Sequence, residues 1–306
     1  MEAVARVEWI GSRPFRSAGR LKADPGSTEL SRRLGGPLCV VGSSASLQTA
    51  AALATTVFAV YGPAGTGAMR FAVAAAVLLA VSRPRLRGRS RRFWLGVAQF
   101  GAVLAALNFS LYEAIARVPL STAVTLQFLG PLALALLGIH RRLDLLWVLA
   151  ASAGVVLLTG GPAGGSDAGI ALALLAAAIT AASVLMARRV ATESSGLDGL
   201  ALAITVAAVL TLPVGMPAAL DTQAPSDLAI VSAVAVLGIA VPYALEYAAI
   251  RLVSVKAFSV FLSLDPAIAA LAGLLWLNQH LAAAELLGLG LVVAASTGVM
   301  SARSPR

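Results

Sequence analysis

Cysteine occurs once in the 306 residues, at Cys39, which excludes an internal disulfide and any cysteine-based metal cluster. Histidine occurs twice, at His140 and His280, in polar breaks that fall on opposite sides of the apolar segments described below, so they are not expected to share a metal with carboxylates inside those segments. The chain contains no GxxxxGK[ST] phosphate loop and no HExxH pair, so ATP-driven and zinc-dependent chemistry are not expected. No catalytic pair aligned on one face is visible either, so neither an enzyme, a cofactor nor a metal is expected. Aromatic residues make up 6% of the chain, which argues against a cation-stacking cavity. Charged residues reach 12%, about half of what a soluble domain carries.

What fills the chain instead is apolar. Hydrophobic residues account for 59% of it and the mean hydropathy is +0.88, the composition of an integral membrane protein. Runs long enough for a helix to cross a bilayer, roughly 20 residues, predict ten spans at 37–59, 66–82, 93–115, 120–139, 143–160, 168–187, 199–217, 227–250, 255–277 and 281–301. The period-2 alternation of an outer-membrane barrel is absent, which leaves helices as the way to satisfy the backbone in lipid. Of 23 Lys and Arg, all but Arg70 and Arg117 fall on one side when ten helices are threaded. The positive-inside rule then puts both termini in the cytoplasm, in an inner-membrane, multi-pass protein. A net charge of +9 spread over every loop on that side reads as an orientation signal attracted to anionic lipid, not as a nucleic-acid surface.

The sequence is internally duplicated. YEAIARVPLSTAVTLQFLGPLALALLG at Tyr112 to Gly138 and YAAIRLVSVKAFSVFLSLDPAIAALAG at Tyr247 to Gly273 match at a constant offset of 135, pairing Tyr112 with Tyr247 and Pro131 with Pro266. A weaker echo joins Leu149–Leu157 to Val293–Ser301 at an offset of 144. The expected fold is an all-α polytopic membrane protein of ten transmembrane helices in two inverted five-helix repeats, because an odd number of spans makes the second copy enter from the opposite face. The expected units are a basic, disordered cytoplasmic tail over residues 1–35, a first repeat over 36–164 and a second over 165–302, divided near GGPAGGSDAG. The tail lacks the apolar core of a signal peptide and is open to a second reading as an extension upstream of the true start. Small residues on every helix leave a homodimer open.

Several polar residues lie inside the apolar spans. Asp265 falls about ten residues into the ninth span, roughly 15 Å deep at 1.5 Å per residue. A carboxyl at that depth costs about 3 kcal/mol on insertion scales, and is suited to a proton or an ammonium group; the competing reading is a kink residue bonded to a neighbouring helix. Pro131 and Pro266 are expected helix breaks that each free a carbonyl one turn earlier. Gln127, one turn before Pro131, offers an amide to a bound polar group, and Tyr112 and Tyr247 are expected to line the cavity. Glu246 reads either as a second titrating group or as a carboxylate that snorkels or pairs with Arg251. Glu113 reads as an i,i+4 ion pair with Arg117. Gln48 and Asn108, with the hydroxyls of Thr125, Ser259 and Ser263, are polar lining or helix-packing contacts. Arg70 is the one candidate for a substrate carboxylate, against a reading as an interface anchor.

VPLSTAVTLQFLGPLALALLG at Val118–Gly138, the segment from Val241 to Gly273, GAMRFAV around Arg70 and ASLQTAA around Gln48 resemble the EamA-type drug/metabolite transporters, and within them the bacterial threonine/homoserine exporter branch. The resemblance covers about residues 40–300 and implies proton-coupled efflux of small amino acids, with the bilayer and a small-molecule substrate as partners. Export of another small metabolite or of a lipophilic cation is the alternative, and a non-transporting scaffold or sensor is the reading from another class. The chain departs from the branch in carrying Gln127 where a Glu is usual, Asp265 where a Glu precedes the proline, and Leu277, Asn278 and Gln279 in place of LGE.

Overall fold

The structure is a computed structural model and describes residues 25–136, 142–159, 166–193, 197–221, 225–242, 245 and 264–302. Among them ten α-helices follow one another without a strand: α1 (Pro25–Thr55), α2 (Phe58–Ser82), α3 (Arg91–Ile115), α4 (Leu120–Leu136), α5 (Arg142–Thr159), α6 (Asp167–Glu193), α7 (Asp198–Asp221), α8 (Pro225–Ala235), α9 (Asp265–Leu277) and α10 (Ala283–Ala302). A π turn, Val236–Ala240, extends α8. Five helices are long and apolar enough to span a bilayer, and α4, α5, α8, α9 and α10 supply shorter apolar stretches. Leu146, Leu175, Leu210, Leu275 and Leu287 point outward and are exposed, a surface that only lipid tails satisfy.

Local chemistry sets the helix ends. Ser90 caps α3 by accepting from the Phe93 amide at 3.0 Å, and Ser166 caps α6 by accepting from the Gly169 amide at 3.1 Å. Asn278 takes the left-handed conformation, φ 51°, that closes α9 onto the Gly273 carbonyl. Glu285 turns back to the Ala282 amide at 2.7 Å to open α10.

Three boundaries differ from the sequence expectation. Residues 25–35, assigned to a disordered tail, form the opening turns of α1: Pro25 is at the helix start, where its missing N–H costs nothing, and Glu29 and Leu34 are good helix formers. The second span begins at Phe58 rather than residue 66, with a kink at Gly62, φ 66° and ψ 165°, ahead of Pro63. Hydropathy reads the Gly62–Pro63 pair as a loop, whereas the chain bends there and continues as helix. The helix α4 also runs unbroken through Pro131, correcting the expected break. The lost hydrogen bond is one of many, and Gly130 beside it holds α4 tightly on α6.

Helices pair closely through small residues. α2 packs on α7, α5 on α10, α4 on both α6 and α9, α3 on α6 and α7, and α1 on α8, its π turn and α9. A methyl added at Gly154 would meet the Gly288 carbonyl at 2.6 Å, and one at Gly101 would meet the Ala203 carbonyl at 2.6 Å, so these backbones nearly touch. The largest core cluster joins α1, α3, α4, α6, α8 and α9 around Tyr112, Leu120 and Leu126. On one face Arg89 binds Asp198 at 2.9 Å, linking the α2–α3 and α6–α7 connections. On the other, the Leu120 amide donates to Gln279 Oε1 at 3.0 Å and the Ser166 amide to the Arg117 carbonyl at 3.4 Å.

Candidate substrate and ion site

The segment SSASLQ puts hydroxyls on several sides of α1, and each finds a partner across a helix interface. Ser43 donates to the Pro242 carbonyl at 3.3 Å and Ser46 to the Leu237 carbonyl at 2.7 Å. The second acceptor belongs to the π turn, whose shifted hydrogen-bond register leaves carbonyls open to side-chain donors. Ser44, on a third side, donates to Asp265 Oδ1. Asp265 is half-buried and stands in the first turn of α9 with Pro266 beside it. A carboxylate there is favoured by the helix dipole, and proline is tolerated because first-turn amides have no helical partner.

A second polar centre lies between α2 and α3. Arg70 sits about two turns beyond the Gly62–Pro63 kink, roughly 10 Å into the helix. Its Nη1 donates to the Tyr112 hydroxyl at 2.6 Å, its guanidinium lies 5.3 Å from the Tyr112 ring, and its Nε is buried without a hydrogen-bond partner. No described carboxylate forms an ion pair with it, in contrast to Arg89, which pairs with Asp198, and Arg117, which pairs with Glu113. Tyr112 is held by Phe58, ring centroids 5.5 Å apart, and is 1% exposed. Asn108, one turn from Tyr112, is buried with its Oδ1 in the space where a side chain at Gly67 would begin.

The π turn connects the two centres. A Cβ on Gly238 would lie 3.1 Å from Ala50 Cβ and 3.5 Å from Arg70 Nη1, so Gly238 lets α1, α2 and α8 converge. Ala50 is six residues along α1 from Ser44, a rise of about 9 Å. Gln48, 3% exposed, lies between those levels on the Ser44 side.

Of the residues expected from sequence, Asp265, Gln48, Arg70, Tyr112 and Asn108 thus stand on converging elements. Gln127 does not join them: its Nε2 donates to Thr180 Oγ1 at 3.1 Å, a contact between α4 and α6. Glu113 pairs with Arg117 at 2.5 Å as the spacing indicated. Thr125 is buried and returns its hydroxyl to the Ser121 carbonyl at 2.6 Å. Glu246, Tyr247, Ser259 and Ser263 lie outside the described residues, as does the side chain of Pro131. Sequence reasoning passed over Ser44, Gly67, Gly238 and Glu285. The run of hydroxyls at 43–46 was a usable signal, and so was Glu285, an acid just inside the last apolar stretch that is fully buried with Oε1 unpartnered.

The threonine/homoserine exporter RhtA of Escherichia coli K12 is 36% identical over 262 residues, covering 83% of this chain and 87% of the relative. The family model for EamA-like transporters matches residues 167–301. The chain belongs to the EamA-like transporter family. The exporter RhtA of Salmonella typhimurium LT2 shows the same 36% identity over 261 residues, at 83% and 87% coverage. A crystal structure shares the fold at a TM-score of 0.58 and 22% identity, covering 90% of this chain and 99% of its own. This EamA-like chain is therefore a multi-pass, all-α membrane protein and a transporter, and the polar centres above lie within its bundle.

Proposed function

We propose that the chain exports small amino acids of the threonine and homoserine kind across the inner membrane, coupled to proton entry. The observation that carries this reading is the pair of opposite charges inside an apolar bundle: Asp265 hydrogen-bonded to Ser44, and Arg70 on the Tyr112 hydroxyl. A zwitterion needs both. Its ammonium would meet Asp265 and its carboxylate Arg70, each through a hydrogen bond of about 2.8 Å. Asp265 also takes the proton role, binding either a proton or an ammonium group, which is how one carboxylate couples two opposite fluxes. Arg70 disfavours a lipophilic cation by direct repulsion. Export by RhtA in the enterobacteria supports both direction and substrate class.

Movement in this reading is a rocking of two inverted units, 36–164 and 165–302, with both termini in the cytoplasm. The helix contacts support it: advancing each helix by five maps α4–α6 onto α9–α1 and α3–α6 onto α8–α1, and leaves the pairs α2–α7, α4–α9 and α5–α10 matched to themselves. The test is extracellular accumulation of threonine and homoserine by cells overexpressing the chain, beside Asp265→Asn at equal membrane level. Accumulation that the variant loses is the expected result. No accumulation from either strain overturns the substrate, and equal accumulation from both removes Asp265 from the mechanism and favours a role without coupling.

A further inference from the structure

Asn108 is more than nine-tenths buried, 7% exposed, in a helix that crosses the apolar bundle, yet its amide makes no hydrogen bond to another described residue. The little exposure that Asn108 keeps falls on its amide atoms, since the fully buried side-chain atoms without a partner among the described residues are Arg70 Nε, Thr122 Oγ1 and Glu285 Oε1, and an amide open in this way can take a partner that is not part of the chain. Its surroundings are built to hold it. Gly67 has no side chain where Asn108 Oδ1 lies, and the same missing Cβ would reach Asn108 Cγ at 3.2 Å and the Tyr112 ring at 3.6 Å. Asn108 and Tyr112 are one turn apart on α3, and Gly67 and Arg70 are about one turn apart on α2. Arg70 reaches the Tyr112 hydroxyl at 2.6 Å, so neighbouring turns of α2 and α3 bring the guanidinium, Tyr112 and Asn108 together.

We propose that Asn108 is a specificity-determining residue that hydrogen-bonds the side-chain hydroxyl of the transported amino acid. The inference rests on the transport reading above, with the substrate carboxylate on Arg70. A hydroxyl on the β or γ carbon lies a few ångströms from the carboxylate, and Asn108 stands one turn along α3 from the Tyr112 whose hydroxyl Arg70 binds. The amide offers both a donor and an acceptor, so it satisfies a hydroxyl in either sense. It defines the substrate class as short α-amino acids bearing a hydroxyl. An isostere in which methyl replaces hydroxyl leaves the amide buried and unpaired, and sites that hydrogen-bond a substrate hydroxyl reject such analogues far more strongly than apolar pockets separate a methylene.

Threonine and valine are that isosteric pair. Purified full-length chain in proteoliposomes is given each amino acid radiolabelled, and the ratio of transport efficiencies is measured for wild type, Asn108→Leu and Gly67→Ala. The expected wild-type ratio is at least about tenfold in favour of threonine. Asn108→Leu is expected to bring it to within about threefold of unity, and Gly67→Ala, which pushes the amide aside without removing it, to lower it in the same direction. A wild type that moves threonine and valine equally overturns the inference while leaving transport intact. So does a ratio that either folded variant leaves unchanged while both rates fall together, the signature of a packing role. A wild type that moves neither amino acid overturns the transport reading as well.

Discussion

Immediately before the two matched prolines, one half of the chain carries Gly130 and the other Asp265, and the two residues have opposite surroundings. At Gly130 the α4 backbone lies so close to the Ala177 carbonyl of α6 that no Cβ fits. Gln127 and Thr180 tie the same two helices one turn earlier, at 3.1 Å. At Asp265 the corresponding contact, α9 against α1, holds a carboxyl bonded to Ser44. One helix pairing therefore serves as a seal in one half and as a polar site in the other. The residue before the proline decides which, because a side chain there either is absent and lets the backbones meet or is present and must be given a partner.

The contrast breaks most visibly at the seal. Gly130→Leu drives a side chain into the Ala177 carbonyl, and is expected to cost about 3 kcal/mol or more, read as loss of folded protein in detergent thermal unfolding. Wild-type stability would mean that α4 and α6 have room to part. The reciprocal change, Asp265→Asn, keeps the shape and a hydrogen-bonding oxygen for Ser44, so folded yield should hold while threonine flux in proteoliposomes falls at least about tenfold, the equivalent of 1.4 kcal/mol. Ser44→Ala removes one hydrogen bond to the carboxyl; a flux reduction of about fivefold is expected from a contribution near 1 kcal/mol, and an unchanged rate would detach Ser44 from the site. Gln127→Leu is the mildest. It should lower stability by about 1 kcal/mol through the lost Thr180 contact, with threonine flux within about twofold of wild type, and a collapse of flux would return Gln127 to the cavity.

Much of the fold was legible because hydropathy marks membrane helices directly, and the i,i+4 spacing of Glu113 and Arg117 was enough to foresee their ion pair. Asp265 stood out as an acid in an apolar span, but its partner Ser44 is 221 residues away and only tertiary packing brings it there. The second span was drawn from residue 66 because Gly62 and Pro63 resemble a loop in composition, whereas the φ of 66° at Gly62 lets the helix bend and resume. Pro131 was expected to break α4 on local grounds that packing at Gly130 overrides. Gln127, read as cavity lining, faces Thr180 instead, a choice between two faces of one helix that sequence alone does not make.

The most direct measurement is threonine affinity by isothermal titration of the purified full-length chain, compared across wild type, Asp265→Asn and Gln127→Leu. The account predicts binding by wild type and Gln127→Leu with affinities within about twofold, and at least a tenfold loss, about 1.4 kcal/mol, in Asp265→Asn. Undiminished binding by Asp265→Asn, or an equal loss in both variants, would contradict the assignment of the site to the α1–α9 contact.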